Sequence, residues 1–191
     1  MTGPVRSLLL TLCSLTELWS AAQSNVLLRI ERSKVTFVSD APMERIEASS
    51  VQAAGVLDAG ERSFVVQLPV RSFEGFNSPL QREHFNENYM ESDDHPNARF
   101  RGRIIEAVDL LSPGTYRVRA KGAFSVHGVE RERIIPCDLV VSDDGARVTG
   151  TFEVMLSDHD IQVPGIVRQK IAPSIQVTLD LLFRRAAATT R

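Results

Sequence analysis

Alternation of apolar and polar residues at every second position dominates this chain. In the segment Tyr116–Val126, Tyr116, Val118 and Phe124 share one face, and Arg117 and Arg119 share the other. A two-residue period is typical of a β-strand with one buried and one solvated face. The same period appears, in some segments less regularly, in Val35–Phe37, Ile46–Leu57, Phe64–Val70, Ala98–Ile104, Val129–Val141, Ala146–Leu156 and Ile175–Phe183.

Short turns separate these segments, as at Asp58-Ala59-Gly60, Ser112-Pro113-Gly114 and Ser142-Asp143-Asp144-Gly145. Connections of this length join antiparallel neighbours, because parallel strands need long crossovers. About eight such strands close naturally into a barrel with room for one ligand. The sequence therefore predicts an all-β fold, an antiparallel β-barrel of about eight strands.

One stretch, Ser72–Phe100, breaks the alternation and carries two of the four histidines together with several acids and amides. Within it, Pro79–Ser92 is predicted to be helical, with Ser78 as the N-cap and proline at the first helical position. An insertion between strands is a common location for the site of an all-β domain. We refer to residues 72–96 as the insertion.

The apolar side of each strand faces the barrel axis, and alternation alone leaves open whether that interior is solid or hollow. Small residues there favour a bore, since they cannot fill a barrel of this width. They are Ala98, Gly102, Ala120, Gly122 and Gly150. A bulky residue at Gly122 or Gly150 is accordingly expected to obstruct the bore. The predicted lining residues are Phe37, Val66, Leu68, Phe100, Ile104, Phe124, Phe152, Val154, Val177 and Leu179.

Two short motifs resemble those of the YceI-like lipid-binding family. The first comprises Leu80-Gln81, His84-Phe85 and Pro96-x-Ala98-x-Phe100, and the second is the run Gly122-x-Phe124-Ser-Val-His-Gly-Val129. The resemblance extends from about Val35 to the C-terminus. It implies an extended, lipocalin-like barrel whose bore binds an isoprenoid lipid, either a quinone or a polyprenyl chain.

The chain departs from the family pattern at the insertion, where Phe85–Pro96 is longer than the usual link and His84 replaces a common acid. These departures concern the head group rather than the fold. Four residues, Arg82, His84, Phe85 and Tyr89, are predicted to cover the mouth of the bore and meet the polar end of the ligand. The predicted function is non-enzymatic binding or transport of an isoprenoid lipid, without a cofactor.

Two other functions remain open at this level. The first is a metal-assisted hydrolase or isomerase that uses His84, His95 and Glu83; the histidine spacing matches no zinc pattern, and no metal ligand is predicted. The sequence also has no G-x-S-x-G elbow, P-loop or dinucleotide motif. The second is an interaction module whose binding surface is a stripe of basic residues. If the stripe is not a binding surface, its residues are expected to pair across strands with Glu130, Glu132 and Glu153 on the outer face. A third interpretation of the stripe is peripheral contact with a membrane. This stripe comprises Arg99, Arg101, Arg103, Arg117, Arg119 and Lys121.

Residues 1–22 have the pattern of a secretory signal peptide: one arginine, the apolar run SLLLTLCSL and small residues ending at Ala22. The mature protein, 23–191, is then a single domain that is periplasmic or secreted. A net charge of -2 and the lack of a basic face with aromatics argue against nucleic acid. Only Cys137 follows the leader, so no intrachain disulfide is predicted. A homodimer is left open.

Overall fold

Nine antiparallel strands form one sheet in the computed structural model, which describes residues 26–185. The predicted leader lies outside the described residues. The strands are β1 (Leu27–Asp40), β2 (Arg45–Ser50), β3 (Ala54–Asp58), β4 (Ser63–Pro69), β5 (Asn97–Ile104), β6 (Gly114–Val126), β7 (Val129–Ser142), β8 (Gly145–Met155) and β9 (Ser174–Arg185). The helical elements are α1 (Pro79–His84), a π-helical turn (Phe85–Tyr89) and 3₁₀ turns at Val70–Ser72, Leu156–His159 and Gly165–Val167.

The sheet closes because β1 pairs with β9 on one edge and with both β2 and β3 on the other. β2 and β3 meet β1 in a single register, Val35 opposite Ser50 and Arg29 opposite Val56. They are therefore one interrupted strand of an eight-stranded barrel. The predicted all-β, eight-stranded antiparallel barrel is confirmed, while the segment predicted as one strand over Ile46–Leu57 is interrupted.

The interruption at residues 51–53 matches a bulge in β1. The β1–β9 register shifts by one residue between Ile30 and Arg32, so the inward face of β1 moves to Ser33. A bulge of this kind bends and twists a strand. Opposite it, the Ala53 amide donates a buried 3.0 Å hydrogen bond to Ser33 Oγ. The side chain thus replaces a lost ladder contact where the barrel bends.

The end of the barrel opposite the insertion is solidly packed. Side chains from five strands meet there with 2% exposure or less: Leu28, Leu57, Val118, Leu139 and Phe183. Full burial of each such side chain stabilises the fold by roughly 1.5–3 kcal/mol. This closed end stabilises the fold by apolar burial, so the end beside the insertion does not need a packed interior for stability.

Glycines in β5 and β6 have a different role from the predicted one. Gly102 and Gly122 face each other across the strands, and a Cβ on Gly122 would lie 2.7 Å from Gly102 Cα and overlap the Arg101 carbonyl oxygen. The prediction that Gly122 opens the bore is wrong: the residue permits close backbone approach, and a side chain there would meet backbone. Of the five small residues, only Ala98 lines the cavity described below.

Much of the basic stripe is paired on the outer surface. The ion pairs are Arg101–Glu130, Lys121–Glu132, Arg117–Asp138 and Arg119–Glu106, at 2.8–3.3 Å. Pairing with Glu130 and Glu132 was predicted and is confirmed. The carboxylate of Glu153 instead accepts a hydrogen bond from Ser174 Oγ. Pairs this exposed contribute only about 0–1 kcal/mol each.

The insertion begins as predicted and ends earlier. Ser78 Oγ accepts a hydrogen bond from the Gln81 amide at 3.1 Å, which confirms the N-cap. The helix changes to a π-helical turn after His84, with the Met90 amide donating to the Phe85 carbonyl. It ends before Glu91, whose φ of 42° leaves the helical region, and not at Ser92. None of the helices in the described part of the chain has the length and apolar character needed to cross a membrane.

The single described cysteine is expected to be inert in the folded protein. Cys137 lies in β7 with 6% exposure, and burial raises the pKa of its thiol to about 11. At pH 8 the thiolate fraction then falls roughly 100-fold relative to an ordinary thiol with a pKa of 9.0. Titration with a disulfide reagent should show at least this slowing in native protein compared with protein in guanidinium. Equal rates in the two states would contradict the burial.

Candidate functional site

The half of the barrel beside the insertion encloses an apolar cavity of about 570 Å³. Inward side chains of the walls, such as Val66, Phe100 and Val177, remain half-buried because they face this space. The volume lies within the range of pockets that hold small ligands, roughly 300–1,000 Å³. The predicted lining residues that border it are Phe37, Val66, Leu68, Phe100, Phe124, Phe152, Val154, Val177 and Leu179.

Ile104 is the one predicted lining residue that the structure places elsewhere. It is 5% exposed and does not border the cavity. It lies at the end of β5, opposite Ala120, where the barrel is already packed. Its position on the inward face was predicted correctly, but the face is hollow only nearer the insertion.

Four phenylalanines form an aromatic roof over one side of the cavity: Phe37, Phe73, Phe76 and Phe85. The Phe37 and Phe85 rings stack with centroids 5.2 Å apart, and Phe73 meets Phe37 edge-on at 5.0 Å. Contacts of this kind contribute about 0.5–1.5 kcal/mol beyond area burial. They hold the insertion on the barrel through apolar side chains that also face the ligand space.

Phe73 and Phe76 were missed by the sequence analysis. Both lie between β4 and α1, outside any alternating segment, so the two-residue period could not select them. The aromatic run Ser72-Phe-Glu-Gly-Phe76 ahead of the helix was the available signal. A second group without such a signal is Val167, Lys170 and Ile171, from the loop between β8 and β9, which also borders the cavity.

A polar boundary is confined to the end of the cavity beside the insertion, where Glu44, Gln81, His84, Arg99 and Lys170 reach it. Glu44 Oε1 accepts a 2.9 Å hydrogen bond from Gln81 Nε2. Among the described residues, Arg99 and Lys170 form no ion pair within 4.0 Å. The boundary therefore offers two cationic groups and the Glu44 carboxylate beside the apolar walls.

Three of the four predicted mouth residues border the cavity, namely His84, Phe85 and Tyr89. Burial raises the pKa of the Tyr89 hydroxyl, which keeps it protonated at neutral pH. Arg82 was expected there too, but it faces an outer groove and donates to the Arg71 carbonyl at 3.0 Å. The reason is helical geometry: Leu80, Gln81 and His84 border the cavity from one side of α1, and Arg82 lies on the side that lines the outer groove.

The structure does not assemble the histidines as the enzyme alternative requires. His84 borders the cavity, while Glu83 lines the outer groove. In the part of the chain described, His95 instead forms a group with Glu91 and His127, whose ligand atoms lie within 4.8 Å of one another. His127 lies in the turn between β6 and β7, and its Nδ1 is 2.9 Å from the His159 carbonyl oxygen.

His159 lies behind this group and is fully buried. The β7–β8 ladder extends only from Asp138 to Ser142, close to Pro136, as expected for a residue that favours sheet edges. The turn Leu156–His159 packs against β7 beyond that point, with His159 Nδ1 3.1 Å from the Val129 carbonyl oxygen. Burial lowers the pKa of His159, so that its ring is neutral at physiological pH.

A family model for the YceI-like domain matches residues 24–183. A search of curated protein sequences gives no match.

Solved structures share the fold. A polyisoprenoid binding domain from Saccharophagus degradans, implicated in plant cell wall breakdown, is similar at TM-score 0.71 and 13% identity, over 85% of this chain and 99% of that one. BcnA of Burkholderia cenocepacia is similar at TM-score 0.66 and 16% identity, over 78% of this chain and 95% of that one. The YceI protein of Campylobacter jejuni is similar at TM-score 0.54 and 9% identity, over 71% of this chain and 81% of that one. At these identities the likeness shows the fold alone.

Proposed function

The chain belongs to the YceI-like domain family, and from that premise we propose that it is a non-enzymatic protein that binds an isoprenoid lipid in its barrel. The observation that carries this proposal is the apolar cavity of about 570 Å³. It lies inside a closed barrel and is walled by aromatic and branched aliphatic side chains. One of the similar structures is itself a polyisoprenoid binding domain.

Chemistry of the walls supports a branched hydrocarbon ligand. Transfer of apolar surface from water into such a space is favourable by about 25 cal/mol per Å². The wall offers edge-to-face aromatic contacts along Phe100, Phe124 and Phe152, whose ring centroids are 5.8–6.0 Å apart. A methyl-branched chain fits the irregular surface between these rings, and binding requires no covalent chemistry from the protein.

The polar boundary suggests where the head group lies. Arg99 and Lys170 would meet the phosphate of a polyprenyl phosphate, while His84 and Tyr89 could donate to the oxygen of a quinone. In both cases the tail extends from this boundary along the walls toward the packed end. Two cationic side chains against one carboxylate, Glu44, favour the polyprenyl phosphate over the quinone.

We further propose that the mature protein acts in the periplasm or outside the cell, as the leader pattern of residues 1–22 suggests. Two exposed apolar residues support peripheral contact with a bilayer at the cavity end: Leu80, which borders the cavity and is 57% exposed, and Ile166, which is 94% exposed and adjoins Val167 at the boundary. Mass spectrometry of exported protein should give a mature chain beginning at Gln23; a chain retaining Met1 would contradict this.

Native mass spectrometry and lipid extraction of the purified protein test the binding proposal. We expect one isoprenoid lipid per chain, or uptake of one when quinones and polyprenyl phosphates are offered. The double variant Arg99→Gln, Lys170→Gln should weaken polyprenyl phosphate binding about 10-fold or more and leave quinone binding unchanged. A protein that carries no lipid and takes up neither class would refute the proposal.

A further inference from the structure

We propose that Glu91, His95 and His127 form a binding site for a divalent transition-metal ion of the zinc class. The three residues come from two separate parts of the chain: the end of the insertion and the turn between β6 and β7. Their ligand atoms lie within 4.8 Å of one another. This site is distinct from the lipid cavity, and the proposal does not depend on the identity of the lipid.

The hydrogen bonds of His127 fix which of its nitrogens is free. Nδ1 lies 2.9 Å from the His159 carbonyl oxygen, which can only accept, so Nδ1 carries the proton. In a neutral ring Nε2 then carries no proton and has a free lone pair. This nitrogen lies 3.2 Å from Glu91 Oε2. Two acceptors at this distance require a cation between them, either a proton or a metal ion.

The third group favours a metal ion over a proton. His95 lies beside the pair, with its ring centroid 5.0 Å from that of His127 at 77°. A proton shared by Glu91 and His127 needs no second imidazole. Two imidazoles and one carboxylate are the protein ligands of a common type of zinc site, which keeps a fourth position for water.

Distances agree with this ligand set. Ligand atoms about 2.0–2.1 Å from a tetrahedral ion lie roughly 3.3 Å apart. The Glu91–His127 separation of 3.2 Å is already close to that value. His95 then has to approach by at most about 1.5 Å, which a side-chain rotation provides. Nitrogen ligands disfavour Ca²⁺ and Mg²⁺, which prefer oxygen.

The backbone is arranged to bring these side chains together. Glu91 and His95 are four residues apart on one turn, closed by the His95 amide donating to the Glu91 carbonyl at 2.8 Å. His127 and Gly128 have φ values of 50° and 73°, the signs required by a two-residue hairpin turn. A Cβ on Gly128 would lie 2.6 Å from His95 Cε1, so this glycine makes room for the second imidazole.

A bound ion would fasten the insertion to the β6–β7 turn. Tyr89 and Met90, which precede Glu91, border the cavity, as does Val126 beside His127. Metal binding should therefore slow hydrogen exchange of backbone amides in residues 85–96. This readout concerns the order of the insertion and is independent of lipid uptake.

The test uses untagged full-length mature protein treated with a chelator and then titrated with Zn²⁺ by calorimetry and with Co²⁺ by visible absorption. We expect one equivalent of each metal, Kd of about 1 µM or tighter for Zn²⁺, and the intense visible bands of four-coordinate Co²⁺. Glu91→Gln and His95→Gln should each weaken binding at least about 10-fold.

His127→Asn is the sharpest variant, because asparagine suits the positive φ of the turn and cannot replace the imidazole in this geometry. It should fold and lose metal affinity about 100-fold. Asp94→Asn is the matched control, since it removes a neighbouring carboxylate outside the group. Absence of binding by the unsubstituted protein, binding unchanged in folded His127→Asn, or an equal loss in Asp94→Asn would each overturn the proposal.

Discussion

Replacement of Gly122 by alanine is expected to lower the free energy of unfolding by about 3 kcal/mol or more, at the upper end of the cost of overpacking. The added Cβ would overlap the Arg101 carbonyl oxygen and lie 2.7 Å from Gly102 Cα. Both contacts are with backbone, so no side-chain rotation can relieve them. Since whole domains are stable by only about 5–15 kcal/mol, this loss is a large share of the total stability.

Thermal and urea denaturation measure this effect. For a chain of this length the melting temperature should fall by roughly 10 °C. Gly165→Ala is the control, because a Cβ there meets no atom within 4 Å and the melting temperature should be nearly unchanged. If Gly122→Ala were as stable as Gly165→Ala, the close approach of β5 and β6 would be wrong.

The two glycines show where sequence reasoning about this fold succeeds and where it fails. Alternation placed Gly102 and Gly122 on the inward face correctly, because a two-residue period depends only on the strand. It could not show that the two backbones meet, since this depends on how sharply the paired strands coil. The interruption at residues 51–53 was missed for a related reason: it compensates a bulge in β1, a feature without a local pattern.

The site residues likewise fall into those that the two-residue period could assign and those that it could not. Residues on regular strands, such as Phe100 and Val177, could be assigned to the cavity walls because their face follows from the period. Arg82 could not, since the period of α1 does not show which of its sides borders the cavity and which lines the outer groove. The group of Glu91, His95 and His127 joins positions up to 36 residues apart, and its members meet only through the path of the insertion.

The cavity itself is best tested at Ala98, whose small side chain faces it from β5. Ala98→Trp should fill much of the space between Leu68 and Phe100 and exclude the lipid tail. We expect the fold to survive, because the new side chain enters a void rather than packed backbone. Lipid affinity should fall at least about 30-fold, which corresponds to roughly 2 kcal/mol.

Uptake of a polyprenyl phosphate and of a quinone, measured by native mass spectrometry, should both decrease, since the tails share the cavity. Val65→Trp provides the matched control: Val65 lies on neighbouring β4 but faces outward and is 52% exposed, so that variant should bind normally. If Ala98→Trp is poorly folded, Val177→Phe adds less volume on the opposite wall and should give a smaller loss in the same direction. Normal uptake by well-folded Ala98→Trp would mean that the lipid binds outside the barrel. The apolar walls would then be only a loosely packed core, and the aromatic roof would serve stability alone.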